Sequence, residues 1–532
     1  MENKIASRLL ERFEKANSER KNYETVWQKI SDYVLPHRGD FNTLRSPGDN
    51  TKRSRVFDTT AEQSNNLLSS SLYGGLVSPS TKWFSLMFKD KRHSEEVEID
   101  EYPIYRWLEN ASDEMLELFN SADSSFPSQV HEFFLSLCSY GTAAMYVEDG
   151  ISGIKFSTIH LSEITVLENS EGVVDTVYRK FSISLRQAVQ MWGLDSLHPV
   201  VQKEFAKAPD SKIDIIHCVQ PKEDADMIKG NFKYASYYLD IRNKHIVSVG
   251  KFYELPYIVA RFSKLAGEVY GRSPAWSCLP DIQMVNTIRE TQIRAAQLQA
   301  QPPLLVADDG VMNPIKAVPN GIIVGGLSMD GMQRVAPLNV GGNLGISDAL
   351  VQQVQKSIRD SFYIDAFIFR DGPMMTATEV RSRQQEQLRL LAPHVGRIQS
   401  EFLQPLITKV FNIMLRSGML GKLPDQINGM DYKIEYISPL AMLQKATSVQ
   451  AIQSFIANIV PLVQINPDVL DVINFDEGVR KIAEDGGVPY SVLRSGKEIE
   501  SIRQQKAQMQ QAQMALNAGQ QMADIANKLP IA

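Results

Sequence analysis

Two pairs of residues in this sequence are of types that can hold a catalytic metal ion. His131-Glu132 begins like the zinc-protease motif, in which a second histidine follows four residues after the first. Position 135 is Leu135, so the second ligand is absent. Asp308-Asp309 lies among turn residues, where paired carboxylates can bind a divalent cation but usually face water. We therefore predict no metal site at either pair.

Glycine-rich segments and candidate nucleophiles also argue against an enzyme. The runs at 341–345 and 494–497 lack both the spacing of a phosphate-binding loop and a preceding buried strand. No Gly-x-Ser-x-Gly sequence occurs, and the eight histidines show no pairing with a nucleophile. We expect no catalytic residue and no cofactor.

The cysteines point to a reduced protein without metal clusters. Cys138, Cys218 and Cys278 lie far apart, with no Cys-x-x-Cys and no nearby histidine pair. Such spacing disfavours a disulfide framework and a zinc cluster. Three buried free thiols are the expected outcome.

Size and charge restrict the class of protein further. A chain of 532 residues predicts three or four domain-sized units, and 43% hydrophobic with 22% charged residues is typical of folded proteins. The net charge of −6 argues against tight gripping of nucleic acid, although DNA could still slide past. No apolar run approaches the eighteen or so residues that cross a bilayer, and the charged N-terminus lacks a signal-peptide core. We expect the protein to stay in the compartment where it is made.

The first hundred and forty residues are predicted to be helical. Apolar residues from Tyr23 to Val34 recur at three- and four-residue steps, which predicts an amphipathic helix that Pro36 ends. The basic loop His37–Arg55 is either solvated or in contact with DNA or a neighbouring subunit. A capping box at residues 59–62 predicts a helix that stops at Gly74-Gly75. Two further helices are expected at 104–119 and 127–140.

The central region changes to β-rich runs that Gly, Asn and Asp punctuate, a pattern typical of antiparallel hairpins. One helix, Ser184–Trp192, interrupts them. The runs are residues 143–149, 153–159, 173–183, 214–219, 234–241, 245–250 and 257–262. The fold class predicted from this order is α+β and predominantly helical.

Two long helices then enclose a short insert. The first, residues 274–300, begins at Pro274, ends before Pro302-Pro303 and is polar on more than one face. The second, residues 346–362, has an apolar stripe formed by Val351, Val354, Ile358 and Phe362. The insert contains short strands and tight turns. Mixed polarity of this kind suits helices packed side by side in a ring.

The remaining chain is predicted to be helical again. A third long helix, capped by Thr376 or Thr378, extends towards Met419, and Pro393 and Pro405 predict kinks or breaks in it. Residues 499–529 form a Gln-rich helix with irregular apolar spacing. That spacing favours docking on other copies, or fraying into solvent, over a strict coiled coil.

Three segments carry a resemblance to a known family. They are KLAGEVYGRSPAWSCLPDIQM at 264–284, DGPMMTATEVRSRQQEQLRLLAPHVGRIQSEFLQPLI at 371–407 and DTTAEQSNNLLSSSLYGGLVSPSTKWF at 58–84. In this order, from about Asn22 to Ile437, the chain resembles phage portal proteins, the head-to-tail connecting family of short-tailed, T7-like phages.

The resemblance implies a ring-forming portal fold with wing, stem, clip and crown. The implied parts are a wing at 1–270 (helical, then antiparallel and β-rich), a first stem helix at 271–301, a clip at 302–345, a second stem helix at 346–364, a tunnel loop at 365–376, a long kinked wing helix with its following segment at 377–438, and a helical crown with a Gln-rich tail at 439–532.

The same resemblance implies a function and partners. The chain would form a homo-dodecameric ring at one capsid vertex, assembled in the cytoplasm of the bacterial host, and remain in the virion. Double-stranded DNA would pass through its channel during packaging and ejection. The terminase large subunit, tail adaptor proteins, and the major capsid and scaffolding proteins would be its other partners, without a membrane.

Within such a channel, the residues expected to approach DNA are Arg370, Arg359 and Lys356. The same segment, residues 346–372, also contains four acidic residues, so the charge of the channel wall is nearly balanced. These are Asp348, Asp360, Asp365 and Asp371. A continuously basic bore would hold DNA rather than pass it, because each phosphate pairing adds affinity. The alternative for Arg370 is a salt bridge with Asp371 or with a neighbouring subunit.

Three other functions compete with the portal. A ring-forming tail adaptor or other virion structural protein is the nearest, although adaptors are generally shorter. A nuclease with scattered carboxylates and a scaffold that binds peptides through the Gln-rich tail are the others. None accounts for the order of the motifs as well.

Overall fold

The computed structural model describes residues 2–38, 40–41, 55–79, 82–86, 102–150, 153–224, 230–300, 304–306, 335–337, 344–364, 391–424, 449–459, 461, 474–485, 492–494 and 496–526. They fall into two compact units, Met1–Gly74 with Asp123–Leu406, and Gly75–Ala122 with Ile407–Ala532. The fold is predominantly helical with antiparallel sheets, as predicted. Within the described part of the chain, no helix is both long and apolar enough to cross a membrane.

The helices follow the predicted order along the chain. They are α1 Glu2–Tyr33, α2 Thr60–Leu76, α3 Tyr102–Asn120, α4 Phe126–Tyr140, α5 Leu185–Trp192, α6 Pro199–Phe205, α7 Pro274–Ser277, α8 Leu279–Ala300 and α9 Leu344–Ser361, then Gln404–Arg416, Phe475–Asp485 and Gly496–Ala526. The expected stop of α2 at Gly74-Gly75 is wrong, because the helix continues to Leu76. Leu72 and Leu76, both 3% exposed, bury the last turn, and this burial outweighs the low helix propensity of glycine.

The first unit contains two antiparallel sheets, of order β3-β4-β5-β6-β7 and β2-β1-β8. The strands are β1 Thr142–Gly150, β2 Gly153–Ile159, β3 Ile164–Glu168, β4 Val174–Ser184, β5 Lys212–Pro221, β6 Tyr234–Asp240, β7 His245–Phe252 and β8 Tyr257–Arg261. All seven predicted runs are confirmed as strands. The short elements β3 and α6 were not predicted.

Helix α1 closes the larger sheet on one side. Its residues Ile5, Leu9 and Phe13 share a buried core with Tyr178 and Leu239 of the sheet. Further along α1, the ring N–H of Trp27 donates to the carbonyl of Tyr140 at 3.2 Å, so α1 is also tied to the end of α4. The apolar stripe predicted near Trp27 is therefore a core face.

The end of α4 is fixed against the segment that leads into α8. Gly141 ends α4 with φ of 85°, and a Cβ there would come within 2.5 Å of the backbone of Gly271. Only glycine fits such a close approach. The Ser273 hydroxyl donates to the carbonyl of Ser139 at 2.5 Å and accepts from Trp276 N at 3.0 Å. The start of the first long helix is thus anchored on the core of the unit.

Residues 391–416 form a helical segment with a π-turn at Gln399–Leu403. Pro405 follows two residues after the π-turn, and its missing N–H and its ring disturb the turn four residues earlier. The irregularity predicted at Pro405 is therefore confirmed as a π-turn. Pro393 lies within residues 391–398, which are helical, but the turn before it lies outside the described residues, so the kink or break predicted there stays a prediction.

The π-turn is held by a buried ion network. Glu401 accepts hydrogen bonds from the backbone N–H and the guanidinium of Arg261, at 2.8 to 3.0 Å. Arg261, 3% exposed, also pairs with Glu168, which Lys264 contacts at 2.6 Å. Arg397 bonds Glu401 from the same helix at 3.0 Å. The next residue, Phe402, makes a different contact: its ring stacks on that of Phe133 of α4, with 4.0 Å between the ring centroids.

A buried histidine joins the two sheets. His217 of β5 is 1% exposed; its Nδ1 lies 2.6 Å from the Tyr257 hydroxyl of β8, and its Nε2 lies 2.9 Å from Ser236 Oγ. Its ring stacks on Tyr238 at 4.1 Å. Burial, with a smaller contribution from Arg179, lowers the pKa of His217 to about 3.

This lowered pKa predicts acid sensitivity. Unfolded histidine binds a proton below pH of about 6.5, whereas the folded state stays neutral, so the free energy of unfolding should fall by about 1.4 kcal/mol per pH unit from 6.5 towards 3. In urea unfolding between pH 7 and 4, His217→Gln should remove that part of the slope. Replacing the exposed His37 by glutamine is the control and should retain it. An unchanged slope in His217→Gln would contradict the assignment.

The second unit has its own aromatic core and the C-terminal helices. Trp83 packs on Phe119 of α3 at 5.3 Å, and the Trp107 ring N–H donates to the carbonyl of Leu420 at 3.1 Å. Arg503 and Asp476 join the helices Gly496–Ala526 and Phe475–Asp485 at 2.7 Å. The predicted Gln-rich helix is confirmed for residues 496–526, of which 503–514 are exposed.

Candidate functional site

Helices α8 and α9 pack side by side and form an antiparallel hairpin. The predicted stripe of α9 (Val351, Val354, Ile358 and, just beyond the helix, Phe362) is buried, at 5% exposure or less. The buried apolar residues of α8 are Leu279, Ile282 and Val285. The short insert strands Leu304–Val306 and Val335–Pro337 pair antiparallel between the two helices in sequence.

Polar contacts fix the register of the hairpin at both ends. Ser357 Oγ donates to Asp281 Oδ2 at 2.8 Å near the start of α8. Further along α8, Gln292 Nε2 donates to Ser347 Oγ at 2.9 Å and to Asp348 Oδ1 at 3.1 Å. Because side-chain hydrogen bonds are short-ranged, sliding of one helix along the other by a turn would break both sets.

The loop before α2 is clamped onto this hairpin by Asn286, 6% exposed. Its carbonyl oxygen accepts from the backbone N–H groups of Phe57 and Asp58 at 2.7 and 3.3 Å. Its amide nitrogen donates to the carbonyl of Arg55 at 3.1 Å. Both ends of one side chain are thus satisfied by a loop more than two hundred residues away in sequence.

Asp58 links the same loop to both helices. Its side chain is 5% exposed, and its Oδ2 accepts from Gln355 Nε2 of α9 at 2.7 Å and lies 3.7 Å from Arg289 Nε of α8. Its Oδ1 accepts from Thr60 N at 3.0 Å, which caps the start of α2. A buried carboxylate with this many donors is held firmly in one position, because hydrogen bonds to a charged group are strong.

Beside this clamp lies an open cleft of ≈ 730 Å³, here called the hairpin cleft. Its two arginines, Arg289 and Arg359, are matched by two carboxylates, Asp58 and Asp348. With no net charge among these four residues, the cleft has no character of a phosphate site. The other residues that line it are Phe57, Thr59, Thr60, Gln63, Gln292, Ile293, Ala296 and Gln355.

Beyond residue 290, α8 is exposed around most of its circumference. Ile293 is 43% and Leu298 is 42% exposed, and Thr291, Arg294 and residues 296–300 are exposed as well. A helix end that packs so little against its own chain gains little stability from tertiary contacts. The polar and apolar residues that give this helix its mixed polarity are therefore exposed, and no other residue in the described part of the chain covers them.

The two described DNA candidates lie one turn apart on the exposed side of α9. Both Lys356 and Arg359 are exposed. At about 100° per residue, Lys356 lies on the side opposite the buried stripe, together with Gln353 and Asp360. Arg359, about 60° round the helix from Lys356, borders the hairpin cleft. The third candidate, Arg370, and the tunnel loop at 365–376 lie outside the described residues.

Residues that resembled catalytic motifs have other contacts. His131 Nε2 lies 3.5 Å from Ser70 Oγ, and Glu132 lies 3.5 Å from Arg38. Asp308-Asp309 lies outside the described residues, and across the described ranges no group of three or more His, Cys, Asp or Glu could hold a metal ion. The three cysteines are free and buried, as predicted. Burial raises the pKa of the Cys218 and Cys278 thiols to about 12.

Asp58, Asn286, Arg289 and Gln355 are the site residues that sequence reasoning missed. One signal was present: Asn286 follows Ile282 and Val285 at helical spacing, so it falls on the buried face of α8. A polar residue on such a face must find partners. Its partners in the loop 55–58 could not be identified from periodicity.

The chain matches known phage proteins over almost its whole length. The family model described as "Bacteriophage head to tail connecting protein" matches residues 6–493. A "Probable portal protein" of Bordetella phage BPP-1 is 28% identical over 535 residues, covering 98% of this chain and 94% of the relative. The "Portal protein" of Salmonella phage epsilon15 is 28% identical over 543 residues, covering 98% and 95%. That of Enterobacteria phage T3 is 21% identical and covers 78% and 75%.

Proposed function

We propose, because this chain belongs to the bacteriophage head to tail connecting protein family, that it is the portal of a tailed phage. The observation that carries the proposal is the family match over residues 6–493, with two relatives called portal proteins aligned across 98% of the chain. Twelve copies would form a ring at one capsid vertex, through which DNA enters during packaging and leaves during ejection. The role is structural, and a separate terminase would hydrolyse ATP.

In this proposal the hairpin of α8 and α9 is the stem, and the insert 302–345 is the clip that faces terminase and tail. The regions 1–270 and 377–438 would form the wing, and 439–532 the crown inside the head. The exposed end of α8 supports the assignment, because a stem helix in a ring has neighbours on both sides. The capsid, scaffolding and tail adaptor proteins would contact the outside of the ring.

A packaging experiment separates the portal from the tail adaptor. Proheads of the phage that encodes this chain should fail to protect DNA from nuclease when the chain is left out, and regain protection when it is supplied. A tail adaptor would leave packaging intact and block only the joining of tails. Normal packaging in proheads without the chain would therefore reject the portal function.

The face of α9 opposite its buried stripe is our candidate for the channel wall. It exposes one cation and one anion, Lys356 and Asp360, with Gln353 one turn before Lys356. A sparse ring of lysines in an otherwise neutral wall would contact phosphates without holding the DNA. Arg370, in the proposed tunnel loop, stays a second candidate.

Lys356→Ala should weaken the binding of duplex DNA by assembled rings while rings still form. The slope of log affinity against log salt should fall by about one for each phosphate that a lysine no longer neutralises. The matched control is Lys251→Ala, an exposed lysine of β7, which should leave the slope unchanged. An identical slope in Lys356→Ala, or failure to form the ring, would contradict a wall position for Lys356.

A further inference from the structure

A head-to-tail ring needs two different patches on each subunit that face in different directions, so that one patch meets the other on the next copy. The stem hairpin carries two such patches on one helix. The first is the α8 side of the hairpin cleft, which includes Ile293 and Ala296. The second is a row here called the outer stripe, formed by Met284, Thr287, Thr291 and Leu298, all exposed.

The spacing places these patches on opposite sides of α8. Residues 284, 291 and 298 repeat every seven positions, so they form one line along the helix. Thr291 and Ile293 differ by two residues, roughly 160–200° around the axis, but by only about 3 Å along it. The two patches therefore lie at the same height on opposite faces.

The cleft is built rigidly enough to receive a partner. Asn286 and Asp58 hold the loop 55–60 in place through five hydrogen bonds of 2.7 to 3.3 Å. The residues that the cleft leaves exposed include apolar Ile293 (43%), the cation Arg359 and the anion Asp348, whose side chain is 60% exposed. A fixed wall loses little conformational freedom when a partner binds.

The outer stripe matches this cleft in chemistry. Leu298 is 42% exposed and lies about 3 Å along the axis from Ala296, so it offers an apolar contact at the height of the cleft. Met284, 41% exposed, continues the apolar surface of the stripe towards the start of α8. The stripe side of α8 also carries one cation and one anion, Arg294 (72% exposed) and Glu290 (33%), which pair with each other and are complementary to Asp348 and Arg359 of the cleft. The small hydroxyls of Thr287 and Thr291 allow close approach between the helices.

From these observations we infer that the outer stripe of one subunit docks into the hairpin cleft of the next copy of this chain. The inference rests on the proposed ring and specifies which surfaces close it. It also gives Arg359 a role between subunits rather than in the channel.

Cross-linking through introduced cysteines tests the docking. The double variant Thr291→Cys/Ile293→Cys places one thiol in each patch. A bis-maleimide bridge within one chain would leave the subunit monomeric, so only a bridge between subunits produces covalent oligomers. The native Cys138, Cys218 and Cys278 are buried, and the brief reaction on the folded protein should spare them. The double variant should give a ladder of covalent oligomers up to the full ring.

The controls separate this docking from ring formation. Neither Thr291→Cys nor Ile293→Cys alone should give a ladder, because each patch meets only the other patch. The pair Thr291→Cys/Met191→Cys uses an exposed residue of α5 and should also give none. If rings are visible in the microscope but the double variant cross-links no more than the controls, the docking is wrong and the portal function stands. If the wild-type chain forms no rings, both fail.

Discussion

Replacing Arg261 by methionine should lower the free energy of unfolding by about 3–5 kcal/mol, the cost of removing one partner from a buried ion pair. The variant leaves Glu401 and Glu168, which are 15% and 14% exposed, without the guanidinium between them. Lys264 and Arg397 remain, one on each carboxylate. Urea unfolding of the unassembled chain at one protein concentration measures the decrease, because assembly adds stability by mass action.

Arg397→Met is the matched control for this prediction. Arg397 pairs with the same carboxylate, at 3.0 Å, but is 35% exposed, so its removal should cost less than about 1 kcal/mol. The double variant Arg261→Met/Glu401→Met should recover part of the stability, since it removes a stranded charge as well. Equal effects of Arg261→Met and Arg397→Met would mean that the network does not hold the π-turn.

Phe402→Ala should be comparably destabilising, by about 3–5 kcal/mol, because it opens a cavity in the core. Phe402 is 0% exposed, stacks on Phe133 at 4.0 Å and meets Phe134 edge-on at 5.9 Å. The same unfolding measurement tests it. Phe455→Ala removes an equal side chain that is 54% exposed, and should change stability little. A Phe402→Ala variant as stable as Phe455→Ala would place Phe402 outside the core.

These two neighbours illustrate what the π-turn does. Glu401 and Phe402 are consecutive, yet one is bonded to Arg261 at the end of β8 and the other is stacked on α4. The wider turn lets both side chains reach a buried partner. The helix that follows the proposed tunnel loop is thereby fixed at one point to the core of the first unit.

The helices and strands could be predicted from the sequence wherever they depend on a local periodic pattern of apolar residues. The stripe of α9 and the seven strand runs follow from spacing alone, because a buried face repeats every three or four residues in helices and every two in strands. The antiparallel pairing also followed from turn residues between neighbouring runs. The portal family was identified from motif order, and the family match confirms it.

Contacts between distant residues could not be predicted in this way. Asn286 and Phe57 are 229 positions apart, and Arg261 and Glu401 are 140 apart. No periodic pattern relates them. The exposed positions of Lys356 and Arg359, in contrast, could have been found by counting from the buried Ile358. Lys356 lies about 160° and Arg359 about 100° round the helix from Ile358, so both point away from the buried face.

Negative-stain electron microscopy of the purified chain, with subunits counted in end-on views, tests the portal function most directly. We predict rings with a central hole and symmetry near twelve-fold. Rings formed without a capsid can close with a neighbouring number of subunits, so a count of eleven or thirteen agrees with the account. Monomers that persist at high protein concentration and at several salt concentrations would contradict it.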